Sequence, residues 1–220
     1  LNLPHENWVQ LVGRESYGLG MMKTGEVTLF DLVKTSLRYR PDYIVVGEIR
    51  GEEAFVLFQA LATGHGGLTT LHAESLDYAI KRLTSPPMNV AETYIPLINV
   101  ATIQERVQLP NPKSDMTFGR RLKEVIEIID YREHRTIAAW DPIDDHFKVN
   151  LKESEILQRI ALKHGVTMKN VLEEIERRAL LLRDLLIKGI KNNEEVAKHI
   201  TNYYLENSFP KTTTKQKTGG

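Results

Sequence analysis

The sequence of 220 residues has no cysteine, no excess of charge and no long apolar run. Without cysteine it has neither disulfide bonds nor thiolate metal ligands, a composition that fits a cytosolic protein. Lysine plus arginine and aspartate plus glutamate number 29 each, so the net charge gives no reason to expect nucleic acid or an acidic membrane as partner. No segment approaches the roughly 18 consecutive apolar residues of a membrane-spanning helix. Any link to a membrane is therefore expected to run through a partner protein.

The first half of the chain alternates strand and helix patterns, which predicts an α/β fold. Residues 43–46 form a short apolar run with β-branched side chains, typical of a parallel strand buried on both faces. Residues 52–63 have a helical pattern that Gly64 ends, and residues 68–71 follow as a second strand. Further predicted elements are a strand at 8–12 and helices at 28–37, capped by Thr28, and at 75–83.

The second half changes from an alternating pattern to a helical one. Residues 100–109, 123–130 and 136–140 carry alternating or β-branched residues, which predicts an antiparallel annex on the sheet. From about residue 152 the pattern predicts three helices, separated by Gly165 and Gly189. We therefore expect three parts. They are an α/β domain with its annex at 1–150, a helical subdomain at 151–209 and a disordered tail at 210–220.

The second of these three helices, near 170–188, carries a cluster of charged residues beside its apolar stripe. Glu173, Glu174, Glu176, Arg177 and Arg178 are predicted to form the solvated face of a core-facing helix. The alternative is a docking surface for a membrane-embedded assembly partner.

Acidic and basic side chains follow the two predicted parallel strands. Glu48 comes directly after the first strand, with Arg50 two residues on, and His72 follows the second strand. Strand–helix–strand connectivity brings both strand ends to one edge of a parallel sheet, where ligands of open α/β folds bind. A glutamate there can act on a water that attacks a phosphate, and a basic neighbour can stabilise the charge. The alternatives are a structural Glu48–Arg50 ion pair and a structural histidine.

A glycine-rich turn precedes the second strand. Thr63-Gly64-His65-Gly66-Gly67 contains a second histidine, and its glycines allow a ligand or a neighbouring subunit to approach the backbone closely. No third ligand stands at metal-binding spacing, so the sequence predicts no metal site made by this chain.

Two segments, in this order, resemble motifs of a known family. Residues 41–50 resemble the Walker B segment, and residues 63–73 the His box, of secretion-type ATPases that drive type II and type IV secretion, type IV pili and the archaellum. Glu133-His134-Arg135, Trp140-Asp141-Pro142 and the three final helices resemble the archaeal branch. The resemblance implies a RecA-like P-loop ATPase core that binds ATP and Mg²⁺. It also implies a cytoplasmic homo-hexamer at the inner face of the cell membrane, working with a membrane-embedded platform protein.

The resemblance also implies roles for individual residues. Glu48 would act on the attacking water and His72 would sense the γ-phosphate. Gly47, Arg50 and His65 would lie near the phosphates. Arg14, after the first strand, is a candidate for phosphate contact or for completing a neighbouring subunit's site, with a solvated surface position as the alternative. Arg82, which no motif contains, is predicted to be a surface or interface charge.

The sequence departs from the family in one respect. No G-x-x-x-x-G-K-[ST] phosphate loop occurs in it, and the residues that hold magnesium in the family also lie upstream of the matching segments. We therefore expect the chain to be the carboxyl-terminal part of the ATPase, truncated at the amino-terminal side of its core. The alternative is a noncatalytic oligomerisation or docking fragment. A nucleic-acid-translocating relative is disfavoured by the balanced charge.

Overall fold

The fold combines helices with one parallel and one antiparallel sheet. A computed structural model describes residues 3–14, 25–110 and 117–207. The predicted disordered tail at 210–220 lies outside these residues. The described helices are α1 (Leu29–Ser36), α2 (Glu53–Ala62), α3 (Leu76–Thr84), α4 (Glu155–His164), α5 (Met168–Ile187) and α6 (Asn193–Glu206). The described strands are β1 (Tyr43–Val46), β2 (Gly66–Thr69), β3 (Val100–Gln108), β4 (Phe118–Asp130), β5 (Glu133–Asp141) and β6 (His146–Val149).

The chain divides into two compact units. One unit is Gln10–Glu153, and the other combines Leu1–Val9 with Ser154–Gly220. The first unit contains both sheets and α1 to α3, and the second contains α4 to α6. The short 3₁₀ turns Leu37–Tyr39, Glu92–Ile98 and Leu151–Glu153 also lie in the first unit.

The two parallel strands and the helix between them contribute to the core of the first unit, together with residues of α1, α3 and β4. β1 pairs with β2 in parallel, with Tyr43 opposite Gly66 and Val46 opposite Thr69. Helix α2 makes the crossover between them and buries Leu57 and Phe58, which are at most 2% exposed. Burial of apolar surface at about 25 cal/mol per Å² is the main stabilising contribution of such a core. This packing fixes where β1 and β2 end, and so positions the side chains that follow them.

Helix α1 begins as predicted, with Thr28 as its cap. The Thr28 hydroxyl accepts a hydrogen bond from the amide of Asp31, and the Asp31 side chain accepts one from the amide of Thr28. Reciprocal bonds of this kind satisfy amide groups that the first turn of a helix leaves unpaired.

The strand predicted at 8–12 is wrong. The described residues there form no ladder, and the nearest pairing is an isolated antiparallel bridge between Arg14 and Val27. Val9 and Val12 are 57% and 75% exposed, so this apolar run packs against no face of a sheet within the described residues. A strand needs a hydrogen-bonded neighbour as well as a suitable pattern.

The antiparallel annex is confirmed. Its strands lie in the order β3-β4-β5-β6, and each pairs with the next in the chain. Register shifts between Ile103 and Gln104, and at two points along β4, give the sheet β-bulges. The sequence analysis missed β6, because its four residues are all exposed and leave no buried alternation to detect.

Asp145, in the turn between β5 and β6, bonds to side chains of β4 and β5. Its carboxylate accepts hydrogen bonds from Nε and Nη2 of Arg121 at 2.7 and 2.6 Å, and from Nε1 of Trp140 at 2.7 Å. These bonds, those of Arg121 first, lower the pKa of Asp145 from 3.8 to about 2. The carboxylate therefore stabilises the folded protein only while it is ionised.

We expect Asp145→Asn to lower the melting temperature of the protein by a few degrees at neutral pH. In acid, the two proteins should melt at the same temperature. The native pKa is depressed, so the stabilisation is complete above 3.8 and is lost as the pH falls through about 2. Thermal denaturation of both proteins as a function of pH measures the difference. Asp144→Asn, in the same turn, is the control. A difference that does not change with pH would contradict the assignment.

Three helices form the second unit, as predicted. Ser154, Thr167 and Asn192 cap α4, α5 and α6 through their side chains, and Gly165 ends α4 at a φ of 64°. In the part of the chain that the structure describes, no helix combines the length and the apolar character needed to cross a membrane.

Candidate functional site

The carboxyl ends of β1 and β2 are tied together by two hydrogen bonds. Beyond the last paired residues, the amide of Ile49 donates to the carbonyl oxygen of Thr70 at 3.0 Å. The hydroxyl of Thr70 donates to the carbonyl oxygen of Gly47 at 2.7 Å. Because both strands run in the same direction, the residues that follow them emerge at one edge of the sheet, as the sequence predicts.

Three predicted site residues meet at this edge. Oε2 of Glu48 lies 2.6 Å from Nη2 of Arg50, and Oε1 of Glu48 lies 3.4 Å from Nε2 of His72. The Glu48 side chain is 24% exposed, whereas those of Arg50 and His72 are 71% and 82% exposed. We call Glu48, Arg50 and His72 the strand-end cluster. Its carboxylate is half-sheltered, whereas its two basic side chains are mostly exposed to solvent and so accessible to an anion.

The electrostatics of the cluster favour the ionised carboxylate. The hydrogen bond from Arg50 lowers the pKa of Glu48; partial burial opposes it, and the charges of Arg50, His72 and Arg82 lower the pKa further. Glu48 therefore carries a negative charge at neutral pH and offers oxygen atoms that accept a hydrogen bond or a proton from water. The same pairing raises the pKa of Arg50.

Arg82 belongs to the surroundings of this cluster, which the sequence analysis did not predict. It lies in the last turn of α3, and its Nη1 donates a hydrogen bond to the carbonyl oxygen of His72. Arg82 is exposed, as predicted for a surface charge, but its bond to His72 was not predicted. The sequence did indicate that the two could lie close together, because Ser75 caps a helix that begins soon after the second strand.

Glu53 is a second residue that the sequence analysis missed. It is the first residue of α2 and is 8% exposed. Its Oε1 accepts hydrogen bonds from the amides of Arg50 and Gly51, at 2.6 and 2.8 Å. The signal was an acidic residue in the first turn of the helix that follows β1.

His65 is not brought to the cluster. Its Nδ1 lies 3.1 Å from the carbonyl oxygen of Ala60 and 3.2 Å from Oγ1 of Thr63, at the carboxyl end of α2. It precedes β2, whereas Glu48 follows β1. In a parallel pair this places them beyond opposite ends of strands that are four residues, or about 13 Å, long. Its predicted place near the phosphates stays a prediction.

Local geometry explains two glycines of the turn around His65. Gly64 has a φ of +98°, which suits the residue after a helix. A Cβ at Gly66 would lie 2.6 Å from ring atoms of Tyr43 and 3.1 Å from the carbonyl oxygen of Asp42. At Gly66 the predicted close approach is therefore made by the neighbouring strand.

The structure also defines the surroundings of Gly47 and Arg14. A Cβ at Gly47 would meet no heavy atom of the described residues within 4 Å, so the space beside it is open to a ligand. Nε of Arg14 donates to the carbonyl oxygen of Gly25 at 2.6 Å, beside its bridge to Val27. Among residues 3–14, 25–110 and 117–207, no group of three or more histidine or carboxylate side chains is arranged to hold a metal ion.

The chain is similar to proteins of secretion and conjugation systems. Residues 1–107 match the family described as type II/IV secretion system protein. The uncharacterized protein MJ1287 of Methanocaldococcus jannaschii is 38% identical over 209 residues, which are 92% of this chain and 74% of that protein. Protein MJ0900 of the same organism is 35% identical over 213 residues, 91% of this chain and 36% of that protein. The conjugal transfer protein TrbB of Rhizobium radiobacter is 36% identical over 109 residues, 49% of this chain and 32% of that protein.

The fold is a mixed α/β arrangement with an antiparallel sheet, consistent with a secretion ATPase domain. Together with the family match and the similarity to MJ1287 along most of both chains, it identifies the protein's class. The chain belongs to the type II/IV secretion system protein family. This membership supports an ATPase-like role in a secretion system. The chain spans only about a third of the length of MJ0900 and TrbB, so the activity of a whole protein is a matter for proposal.

Proposed function

We propose that this chain is the carboxyl-terminal part of a hexameric ATPase motor that drives protein secretion or the assembly of pilus- or archaellum-like filaments. The observation that carries the proposal is the strand-end cluster. A carboxylate with a lowered pKa, an arginine and a histidine converge after two parallel strands in a chain of this family. Residues 10–153 would be part of a RecA-like core with its β annex, and residues 154–207 a helical subdomain.

In this proposal each member of the cluster has a separate task. Glu48 accepts a hydrogen bond from the attacking water and then its proton, since its carboxylate is ionised and half-sheltered. Arg50 and His72, both exposed, face the charge that develops on the transferred phosphoryl group. Gly47 leaves the adjacent space open. Arg14 remains a candidate for contact with phosphate or with a neighbouring subunit.

The described residues fit one side of a terminal phosphate but not a whole nucleotide. Glu48, Arg50, His72 and Arg82 supply charges of both signs at the strand ends. The sequence contains no phosphate loop to wrap the phosphates. ATP and Mg²⁺ would thus be held mainly by residues outside this sequence. By "complete protein" we mean these 220 residues together with the phosphate loop that the proposal requires.

The partners follow from the same family membership. We propose a homo-hexamer that docks on a membrane-embedded platform protein at the cytoplasmic face of the cell membrane, with no nucleic acid substrate. The balanced charge of 29 basic and 29 acidic residues supports the last point.

A second candidate function is a noncatalytic oligomerisation or docking module. The absence of a phosphate-loop motif from these 220 residues favours it for the isolated chain. ATP binding and magnesium-dependent turnover of the isolated chain and of the complete protein decide between the two. We expect neither binding nor turnover from the isolated chain, and both from the complete protein. A complete protein that binds ATP without hydrolysing it would favour the docking module.

We expect His72→Ala to slow ATP hydrolysis by the complete protein by about 10- to 100-fold with no measurable loss of folding stability. Its side chain is 82% exposed, so truncation removes little packing. Turnover assays and thermal denaturation of the same preparations measure the two effects. His199→Ala, an exposed histidine on α6, should change neither. Unfolding of His72→Ala would instead mean that this histidine is structural.

A further inference from the structure

Glu53 is a buried carboxylate to which the proposed chemistry gives no task. It is the first residue of α2 and is 8% exposed. Its Oε1 accepts hydrogen bonds from the amides of Arg50 and Gly51. Burying a carboxylate without partners is costly, and here two amides and the amino end of the helix compensate it. The side chain is therefore bonded to the main chain of the turn between β1 and α2.

This turn carries the strand-end cluster. On one side of Arg50, the amide of Ile49 is bonded to Thr70, and Ile49 is only 1% exposed. On the other side, the Glu53 carboxylate holds the amides of Arg50 and Gly51. A Cβ added at Gly51 would lie 3.0 Å from Oε2 of Glu53, so the turn is wrapped closely around this side chain. The backbone of Arg50 is fixed from both directions.

We propose that Glu53 is a positioning residue that holds the main chain of Arg50 so that its guanidinium stays on Glu48. The proposal rests on the function proposed for the strand-end cluster, but the pairing can be measured without any nucleotide. The 2.6 Å contact between Arg50 and Glu48 is made by an arginine side chain that is 71% exposed. A long exposed side chain loses conformational entropy when it keeps one geometry, so a fixed backbone at Arg50 favours the pair.

The experiment is a carbon-13 NMR titration of the Glu48 carboxyl group in the 220-residue chain, with Glu48→Gln used to assign the resonance. The charged groups that act on Glu48 are Arg50, His72 and Arg82. In Glu53→Ala we expect the pKa of Glu48 to rise towards 4.5, the value of an unperturbed glutamate. The sign is decisive, because removing the negative charge of Glu53 would by itself lower the pKa of Glu48.

Three further variants make the result specific. Glu52→Ala, the exposed neighbour, should leave the pKa of Glu48 unchanged. Glu53→Gln keeps an oxygen that accepts both amide hydrogens, and should not raise the pKa. Glu53→Asp keeps the charge on a shorter side chain and should raise it. If Glu53→Ala does not fold, the glutamine and aspartate variants decide the question. An unchanged or lower pKa in a folded Glu53→Ala, or an equal rise in Glu53→Gln, would overturn the proposal.

Turnover by the complete protein separates this proposal from the proposed function. A loosened cluster should lower kcat by about 10- to 100-fold in Glu53→Ala, with the KM for ATP unchanged and with recovery in Glu53→Gln. A raised pKa of Glu48 without any loss of kcat would still support the positioning role, and would count against catalysis by the cluster. A lost kcat with an unchanged pKa of Glu48 would overturn the positioning role alone.

Discussion

Replacing Glu48 by glutamine in the complete protein is expected to lower magnesium-dependent ATP turnover by about 100- to 10,000-fold. Glutamine keeps the size and hydrogen-bonding oxygen of the side chain but cannot accept the proton of the attacking water. The carboxylate it replaces is 24% exposed and is held ionised by Arg50. ATP binding should be retained, because in the proposal other residues hold the nucleotide. Steady-state turnover and equilibrium binding of ATP measure the two quantities.

The control for this experiment is a neighbouring glutamate outside the cluster. Glu52→Gln, at the exposed N-cap position of α2, changes the same charge four residues away and should leave turnover close to that of the unmodified protein. Near-normal turnover by Glu48→Gln would refute the catalytic assignment. An equal loss in Glu52→Gln would mean that overall charge, and not the position of Glu48, controls the rate.

Replacing Glu174 by alanine is expected to destabilise the helical unit by about 2–4 kcal/mol. Glu174 lies in α5 and its side chain is 7% exposed. It accepts hydrogen bonds from Arg177 at 2.6 Å, from Arg178 at 2.7 Å and from the hydroxyl of Tyr203 in α6 at 3.0 Å. Burial raises the pKa of Glu174, but the bonds from these three residues outweigh it and hold the pKa below its ordinary value. Alanine removes the shared acceptor of all three donors.

Urea denaturation, followed by the helical circular dichroism signal, measures this loss. Glu173→Ala is the matched control, because that side chain is 46% exposed and lies 3.7 Å from Nζ of the exposed Lys169. It should cost no more than about 0.5 kcal/mol. Equal effects of the two variants would contradict the structural role of Glu174.

Glu173 and Glu174 show that a sequence pattern does not always distinguish a buried charged residue from an exposed one. The charged run of α5 was predicted to be a solvated face, and this is right for Glu173 but wrong for the adjacent Glu174. Helical periodicity reports which side of a helix is apolar. It does not report that a tyrosine from another helix reaches an acidic residue at the border of that side. Only the packing of α5 with α6 decides this.

Elements with a strong local pattern were predicted well, and those that depend on distant pairing were not. The bounds of β1 were predicted without error, and α2 agrees within one residue at each end, because an apolar run and a terminal glycine are local signals. The run at 8–12 has the same type of pattern but forms no strand among the described residues. Strand β6 has almost no pattern and forms because β5 offers an edge.

The candidate site was predicted in its centre but not in its surroundings. Strand direction alone brings Glu48 and His72 to one edge, and they lie 3.4 Å apart. His65 was grouped with them by its motif, although the direction of β2 places it at the other end. The contacts that Arg82 and Glu53 make near the cluster were not predicted, because they are with main-chain atoms. A contact with a main-chain atom does not depend on the partner's side chain, so no pair of complementary residues in the sequence indicates it.

The most direct test of the strand-end cluster is a structure of the complete protein with Mg²⁺ and a non-hydrolysable ATP analogue. We expect the terminal phosphate within hydrogen-bond distance, about 3 Å, of Arg50 or His72. We also expect a water molecule between that phosphate and the Glu48 carboxylate, in line for attack. A terminal phosphate bound away from this edge of the sheet, with Glu48 still paired only with its own Arg50, would contradict the account.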